Sequence, residues 1–143
     1  MDLKDIKFKS KYEISQALWL AKHGVKFIYE AMELRYTQPV RSGECLACGS
    51  GDVVKHRIYT PDFFFPEHNI TVETKGKFDA PGRAIIQNVM DSHPDLDLRI
   101  VFQRDNYLTK MKRMKYSRWC ELRGLTYAVG NIPIEWFKEE VEE

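Results

Sequence analysis

Tyr59-Thr60-Pro61-Asp62-Phe63-Phe64-Phe65-Pro66-Glu67-His68-Asn69-Ile70-Thr71-Val72-Glu73-Thr74-Lys75-Gly76 is the stretch on which the reading of this chain turns. Ile70 to Lys75 alternates as a strand and Gly76 ends it, while Asp62 to Phe65 is an extended run that resumes after the break at Thr60-Pro61. Pro66 to Asn69 supplies a turn between them. In a strand, residues two apart share a face. Glu73 and Lys75 therefore point one way and Val72 and Thr74 the other, and a hairpin would set Asp62 beside Glu73. Two carboxylates at one spot repel, and a hard cation such as Mg²⁺ relieves that repulsion with oxygen ligands. A lysine one step further can orient a water or stabilise charge on a phosphate. Together these are the parts of a metal-dependent phosphodiesterase site. The alternative is a surface hairpin with an ordinary Glu/Lys pair, worth about 0–1 kcal/mol when exposed.

Outward from this hairpin, the chain alternates between helical and extended patterns. Towards the N-terminus, Ser10 to His23 carries Ile14, Ala17, Leu18 and Ala21 at helical spacing, with Gly24 where a helix ends. Ser10 and Glu13 form a capping-box pattern, which is also the bland reading of Glu13. Val25 to Glu30, Met32 to Tyr36 and Val53 to Tyr59 read as strands, separated by a turn-rich insertion over 41–51. Towards the C-terminus, Asp79 to His93 is helical, Leu98 to Phe102 is a short strand, and Ser117 to Arg123 is a helix stopped by Gly124. Leu125 to Val129 is a last strand, and Pro133 at the first helical position opens a terminal helix through Trp136. The order predicts an α/β fold, a mixed central β-sheet flanked by helices.

At 143 residues, with 43% hydrophobic and 30% charged residues, the chain fits a single globular domain over 1–143. Its apolar runs are too short for a transmembrane helix, and no signal peptide is read at the N-terminus. Three cysteines without an export signal argue against a disulfide framework, so the expected location is the cytoplasm and no membrane partner is expected. The net charge of +1 hides a division. Arg99 to Arg123 holds eight basic residues against Asp105 and Glu121, a net of +6, whereas the acidic tail over 135–143 carries −4.

The Pro-Asp and Glu-x-Lys pattern is the signature of the restriction-endonuclease-like nuclease superfamily. More specifically, the chain resembles the endonuclease I family of T-odd bacteriophages, the Holliday-junction resolvases. The resemblance runs from about Phe8 to Lys138. It rests on Phe8-Lys-Ser followed by Glu13, on Gly24-Val-Lys-Phe27 with Tyr29-Glu30, and on Tyr59-Thr-Pro-Asp-Phe63 and Val72-Glu-Thr-Lys-Gly76. It continues through His93-Pro-Asp-Leu-Asp-Leu-Arg-Ile-Val-Phe102, Ile132-Pro133 and Glu135-Trp136. The resemblance implies a segment-exchanged homodimer that binds four-way DNA junctions and cuts two strands symmetrically. It implies a catalytic set of Glu13, Asp62, Glu73 and Lys75, with Asp62, Glu73 and Glu13 as ligands to Mg²⁺ or Mn²⁺ and Glu13 supplied by the other protomer. A phage-encoded protein of this kind would work in the cytoplasm of the infected bacterium.

Next to a nuclease site, the basic segment becomes a phosphate-contacting surface rather than a solvated face. Lys110, Lys112, Arg113, Lys115 and Arg118 are the candidates, with Lys9 and Lys11 beside Glu13 assigned to DNA as well. Tyr107, Tyr116 and Trp119 are interleaved with them, Trp119 reading as core. Within the insertion, Cys45-Leu-Ala-Cys48-Gly resembles one knuckle of a zinc ribbon. Cys45 and Cys48 are thus candidate ligands to a structural Zn²⁺, completed by His56 and Cys120 or by a second protomer; the alternative is a plain loop with two free thiols. Two rival functions stand beside a junction-resolving endodeoxyribonuclease. One is a related nuclease acting on linear, branched or mismatched DNA, and the other is a structure-specific DNA-binding protein that does not cut.

Overall fold

Ser10 opens the first helix, α1 (Lys11–Lys22): its hydroxyl accepts the Glu13 N–H at 3.1 Å and satisfies one donor that the helix leaves free. Glu13 reaches back past Ser10 to the Lys9 N–H at 3.0 Å, a capping box displaced by one residue. At the other end Gly24 adopts φ +69°, and the Gly24 and Val25 N–H groups return to the Ala21 and Leu20 carbonyls in a Schellman motif. The computed structural model describes residues 3–39 and 54–138. The Cys-containing insertion and the end of the acidic tail lie outside these residues.

After α1 come β1 (Ile28–Tyr29), β2 (Leu34–Pro39), β3 (Val54–Tyr59), β4 (Phe63–Phe65) and β5 (Ile70–Lys75). There follow α2 (Ala80–Ser92), β6 (Leu98–Phe102), α3 (Tyr116–Leu122), β7 (Tyr127–Val129) and a 3₁₀ turn over Ile134–Phe137. Five strands form a mixed sheet in the order β1-β4-β5-β6-β7, antiparallel from β1 to β5 and parallel from β5 to β7. β2 and β3 form a separate antiparallel pair that buries Tyr36 against the α2 side of the sheet. The predicted mixed α/β architecture is therefore the one observed. No helix among the described residues is long and apolar enough to cross a membrane.

β5 is covered on both faces. Val72 joins Phe63, Phe65, Val101, Ala17 and Leu20 on the α1 side, while Ile100 and Phe102 of the neighbouring strand face Phe78, Ile86, Val89 and Trp119 on the other. This explains why β5 carries buried polar residues: as the central strand of a sheet covered on both faces, it has no solvent face on which to place them. Glu73 and Thr74 sit towards its C-terminal end, just before the partly exposed Lys75.

Several boundaries and one buried face differ from the sequence reading, β2 among them, which runs over Leu34–Pro39 instead of Met32 to Tyr36. The strand expected over Val25 to Glu30 shrinks to Ile28–Tyr29, because its partner β4 has three residues and Glu30 turns away at φ +50°. The strand expected from Leu125 begins at Tyr127, since the Leu125 N–H closes the C-terminus of α3 on the Cys120 carbonyl. Pro133 precedes a single 3₁₀ turn instead of opening an α-helix. Finally, α1 does not bury the Ile14/Leu18 face. It buries Glu13, Gln16, Ala17 and Leu20, leaving Ile14 and Leu18 exposed. Hydrogen bonds decide this rotation: Gln16 accepts the Ile132 N–H at 2.7 Å, and the Trp19 indole and the Tyr12 hydroxyl donate to the Ile132 and Gly130 carbonyls.

Candidate active site

The hairpin forms as the sequence requires. β4 and β5 pair with Phe63 opposite Val72, which puts Asp62 one step beyond the last pair, at the level of Glu73 and Thr74. The Asp62 carboxylate is buried and turns onto Thr74, whose N–H and hydroxyl both donate to Oδ2, at 2.9 and 2.7 Å. One oxygen is thus fixed and the other left free of these bonds. Burial pushes the Asp62 pKa up to about 6, against the lowering effect of the two Thr74 bonds; Glu13 adds to the rise and Lys75 opposes it.

Glu73 is more extreme. Its side chain is 5% exposed and its Oε2 is buried with no hydrogen-bond partner among the described residues. Burial drives its pKa up to about 8; Lys75 and Lys9 pull it down, Glu13 and Glu30 push it up. Asp62 and Glu73 both feel Glu13 and Lys75, so the fold brings the four sequence-predicted residues into one electrostatic neighbourhood.

Glu13 reaches that neighbourhood from the first turn of α1, which packs on one face of the sheet. Its Oε2 accepts the Tyr29 hydroxyl at 2.5 Å and the Lys9 N–H at 3.0 Å. Tyr29 is wedged between the rings of Phe8 and Phe63, which fixes its hydroxyl, and burial holds that hydroxyl protonated well above the ordinary phenol range. The Lys9 ammonium pairs with Glu30 at 2.7 Å.

A divalent cation fits the chemistry of this donor set. One buried carboxylate oxygen is unpartnered, and Lys75 and Lys9 do not outweigh the burial that holds the two carboxyls above their ordinary pKa values; hard oxygen donors of this kind are what Mg²⁺ or Mn²⁺ takes. Among the described residues no three His, Cys, Asp or Glu side chains converge into a closed metal cage. Asp62 and Glu73 would hold the ion, and Glu13 acts on both through its field.

The basic segment forms a separate feature. Tyr107 bridges Lys115, the Leu108 N–H donates to the Met114 carbonyl at 2.8 Å, and Lys112 turns the chain at φ +52°. This closed loop exposes Lys110, Lys112, Arg113 and Lys115, with the Lys115 ammonium over the Tyr107 ring. Lys11 is exposed at the head of α1. Arg118 is also exposed but pairs with Glu121, while Arg99 and Arg123 stack on Trp136 and Trp119. Trp119 is core, as its sequence context suggests.

The zinc assignment on Cys45 and Cys48 falls outside the described residues. Of the two in-chain partners for it, His56 is exposed on β3, whereas Cys120 lies on the buried face of α3, in the core, with its thiol pushed up to about 12. A thiol buried among apolar side chains resists becoming the thiolate that zinc needs.

Three residues of the site escape the sequence reading. Alternation places Thr74 only in the opposite layer, yet it orients Asp62; its position between Glu73 and Lys75 is the available signal. Tyr29 and Glu30 contribute to the resemblance without a role of their own, and their distance from the hairpin in sequence offers no clue to one.

The family model for phage endonuclease I matches residues 2–143. Endonuclease I of Escherichia phage T7 is 34% identical over 137 residues, covering 95% of this chain and 82% of its own. Endodeoxyribonuclease 1 of Enterobacteria phage T3 is 32% identical over 137 residues, covering 95% of this chain and 80% of its own.

Proposed function

Because the chain belongs to the phage endonuclease I family, we propose that this endonuclease is a metal-dependent, structure-selective endodeoxyribonuclease that resolves four-way DNA junctions by paired cleavage. The observation that carries the reading is the pair of buried, undercompensated carboxylates, Asp62 and Glu73, near Lys75 at the C-terminal end of β5. A protein that only bound DNA would gain nothing from burying anionic groups where a phosphate must approach.

Asp62 and Glu73 would hold Mg²⁺ or Mn²⁺, which when bound neutralises them and stabilises charge on the phosphate. Thr74 keeps Asp62 aimed by occupying one of its oxygens. Lys75 supplies a fixed positive charge to the phosphoryl oxygens as water adds to phosphorus. One P–O ester bond breaks, leaving a phosphate terminus and a hydroxyl terminus. Tyr29 and the Lys9 N–H hold Glu13 in place as the remaining carboxylate of the set.

Lys110, Lys112, Arg113 and Lys115 would contact phosphates away from the cut, with Lys9 and Lys11 near it. A homodimer would place two such sites on one junction, and the exposed apolar side chains of Ile14, Leu18, Val54 and Ile58 offer surface for it. Zinc on Cys45 and Cys48 stays part of the proposal: metal analysis of protein purified without chelator should find it, and its absence would leave a plain loop.

One gel tests the central reading. A four-way junction and a linear duplex of the same sequence are incubated with Mg²⁺ or with EDTA. Paired nicks in the junction alone, and only with Mg²⁺, are expected. Equal cutting of the duplex would point to a general nuclease, and junction binding without cutting to a binding protein.

A further inference from the structure

The Lys9–Glu30 ion pair differs from an ordinary surface salt bridge in how its two ends are anchored. The Lys9 side chain is 65% exposed, but its own N–H donates to the Glu13 carboxylate at 3.0 Å. Glu30 stands at φ +50°, a left-handed conformation unusual for a non-glycine residue, and its N–H donates to the Asp62 carbonyl at 2.9 Å. Each partner is thus tied through its backbone to a residue of the carboxylate set, Lys9 to Glu13 and Glu30 to Asp62. The strained Glu30 backbone aims its half-buried carboxylate at Lys9 instead of at solvent. The ammonium consequently lies within the fields of Asp62, Glu13 and Glu73 while keeping donors free towards solvent.

We propose that Glu30 is a positioning residue, which holds the Lys9 ammonium at the mouth of the site as a second phosphate-contacting cation besides Lys75. The proposal rests on the endonuclease reading and names which residue presents Lys9 to the DNA backbone. A free lysine side chain samples many rotamers, so fixing its head beforehand lowers the cost of placing it in the transition state. Glu30 itself does not touch substrate, and its negative charge opposes DNA binding. Loss of Glu30 should therefore lower the rate of cutting without weakening affinity.

The test measures single-turnover cleavage of a four-way junction, junction affinity in EDTA, the Mg²⁺ dependence and the melting temperature. It compares wild type, Glu30→Gln, Lys9→Met and the double variant. Glu30→Gln is expected to cut about tenfold more slowly with equal or tighter binding and an unchanged Mg²⁺ midpoint. Lys9→Met should cut at least as slowly and bind more weakly, and the double variant should cut no more slowly than Lys9→Met alone. Glu30→Asn, which suits the left-handed backbone, should reproduce the slow cutting without a lower melting temperature. An unchanged rate in Glu30→Gln, or additive losses in the double variant, would overturn the proposal. A shifted Mg²⁺ midpoint would make Glu30 a metal ligand instead. Failure of the wild-type protein to cut the junction would instead remove the endonuclease reading on which it rests, and normal cutting by Asp62→Asn and Glu73→Gln would move the active site away from Lys9 and Glu30.

Discussion

Glu73 is buried at the end of a strand that has no solvent face, and it has no donor for one of its oxygens among the described residues. A carboxyl whose pKa is higher in the folded chain than in the unfolded one favours folding while it is protonated. That contribution is complete below about pH 4 and is lost as pH rises through the folded values, about 6 for Asp62 and about 8 for Glu73. In EDTA the melting temperature should therefore fall between about pH 5 and pH 9, by several degrees, and Glu73→Gln should flatten the fall. Mg²⁺ should restore stability at the alkaline end. Parallel wild-type and Glu73→Gln profiles would show that the buried charge costs the fold nothing. Thr74 invites a second comparison. Thr74→Val keeps the N–H bond to Asp62 and loses the hydroxyl bond, so cutting should slow by about tenfold with junction affinity unchanged. Thr74→Ser should restore most of the rate. If both variants cut like wild type, the backbone donor alone orients Asp62.

Among the elements, the loop between β6 and α3 and the helix α1 show how far pattern alone reaches. The loop's charges are legible as a cluster, but their division is not: Lys110, Lys112, Arg113 and Lys115 project from a closed loop, whereas Arg118 is paired with Glu121. Replacing Lys110, Lys112 and Arg113 with alanine should weaken junction and duplex binding alike. It should also lower the salt dependence of binding, by about 0.9 in log–log slope for each phosphate that is no longer neutralised. Arg118→Ala should change little, and an unaltered slope in the triple variant would remove this loop from the DNA interface. In α1 the start, the cap and the Gly24 stop are readable, because they depend on neighbours in sequence. The buried face is not. Ile14 and Leu18 carry the apolar periodicity, but Gln16 bonds to Ile132, more than a hundred residues away in the chain, and turns the helix so that Glu13 faces the site.

For the whole molecule, the proposal of a homodimer predicts twice the monomer mass by light scattering at micromolar concentration; a monomeric mass would count against paired cutting by one particle. In the chain itself Glu13 already acts on Asp62 and Glu73, and segment exchange would give the same neighbourhood to the partner's Glu13. Mixed dimers of Glu13→Gln with Asp62→Asn separate the two arrangements. With exchange, one site carries both lesions and the other neither, so the junction is nicked on one strand; without it, both sites are damaged and cutting is lost. The element order, the hairpin that presents Asp62 and Glu73, and the mixed sheet are legible in the chain alone, since strand alternation, helix caps and turns are properties of neighbouring residues. The buried face of α1, the bond by which Thr74 orients Asp62, the hold of Tyr29 on Glu13 and the meeting of Lys9 with Glu30 emerge only in the folded chain. These depend on burial and hydrogen bonding between segments far apart in the chain. There the need to satisfy a buried polar group outweighs the periodicity by which a local pattern is read.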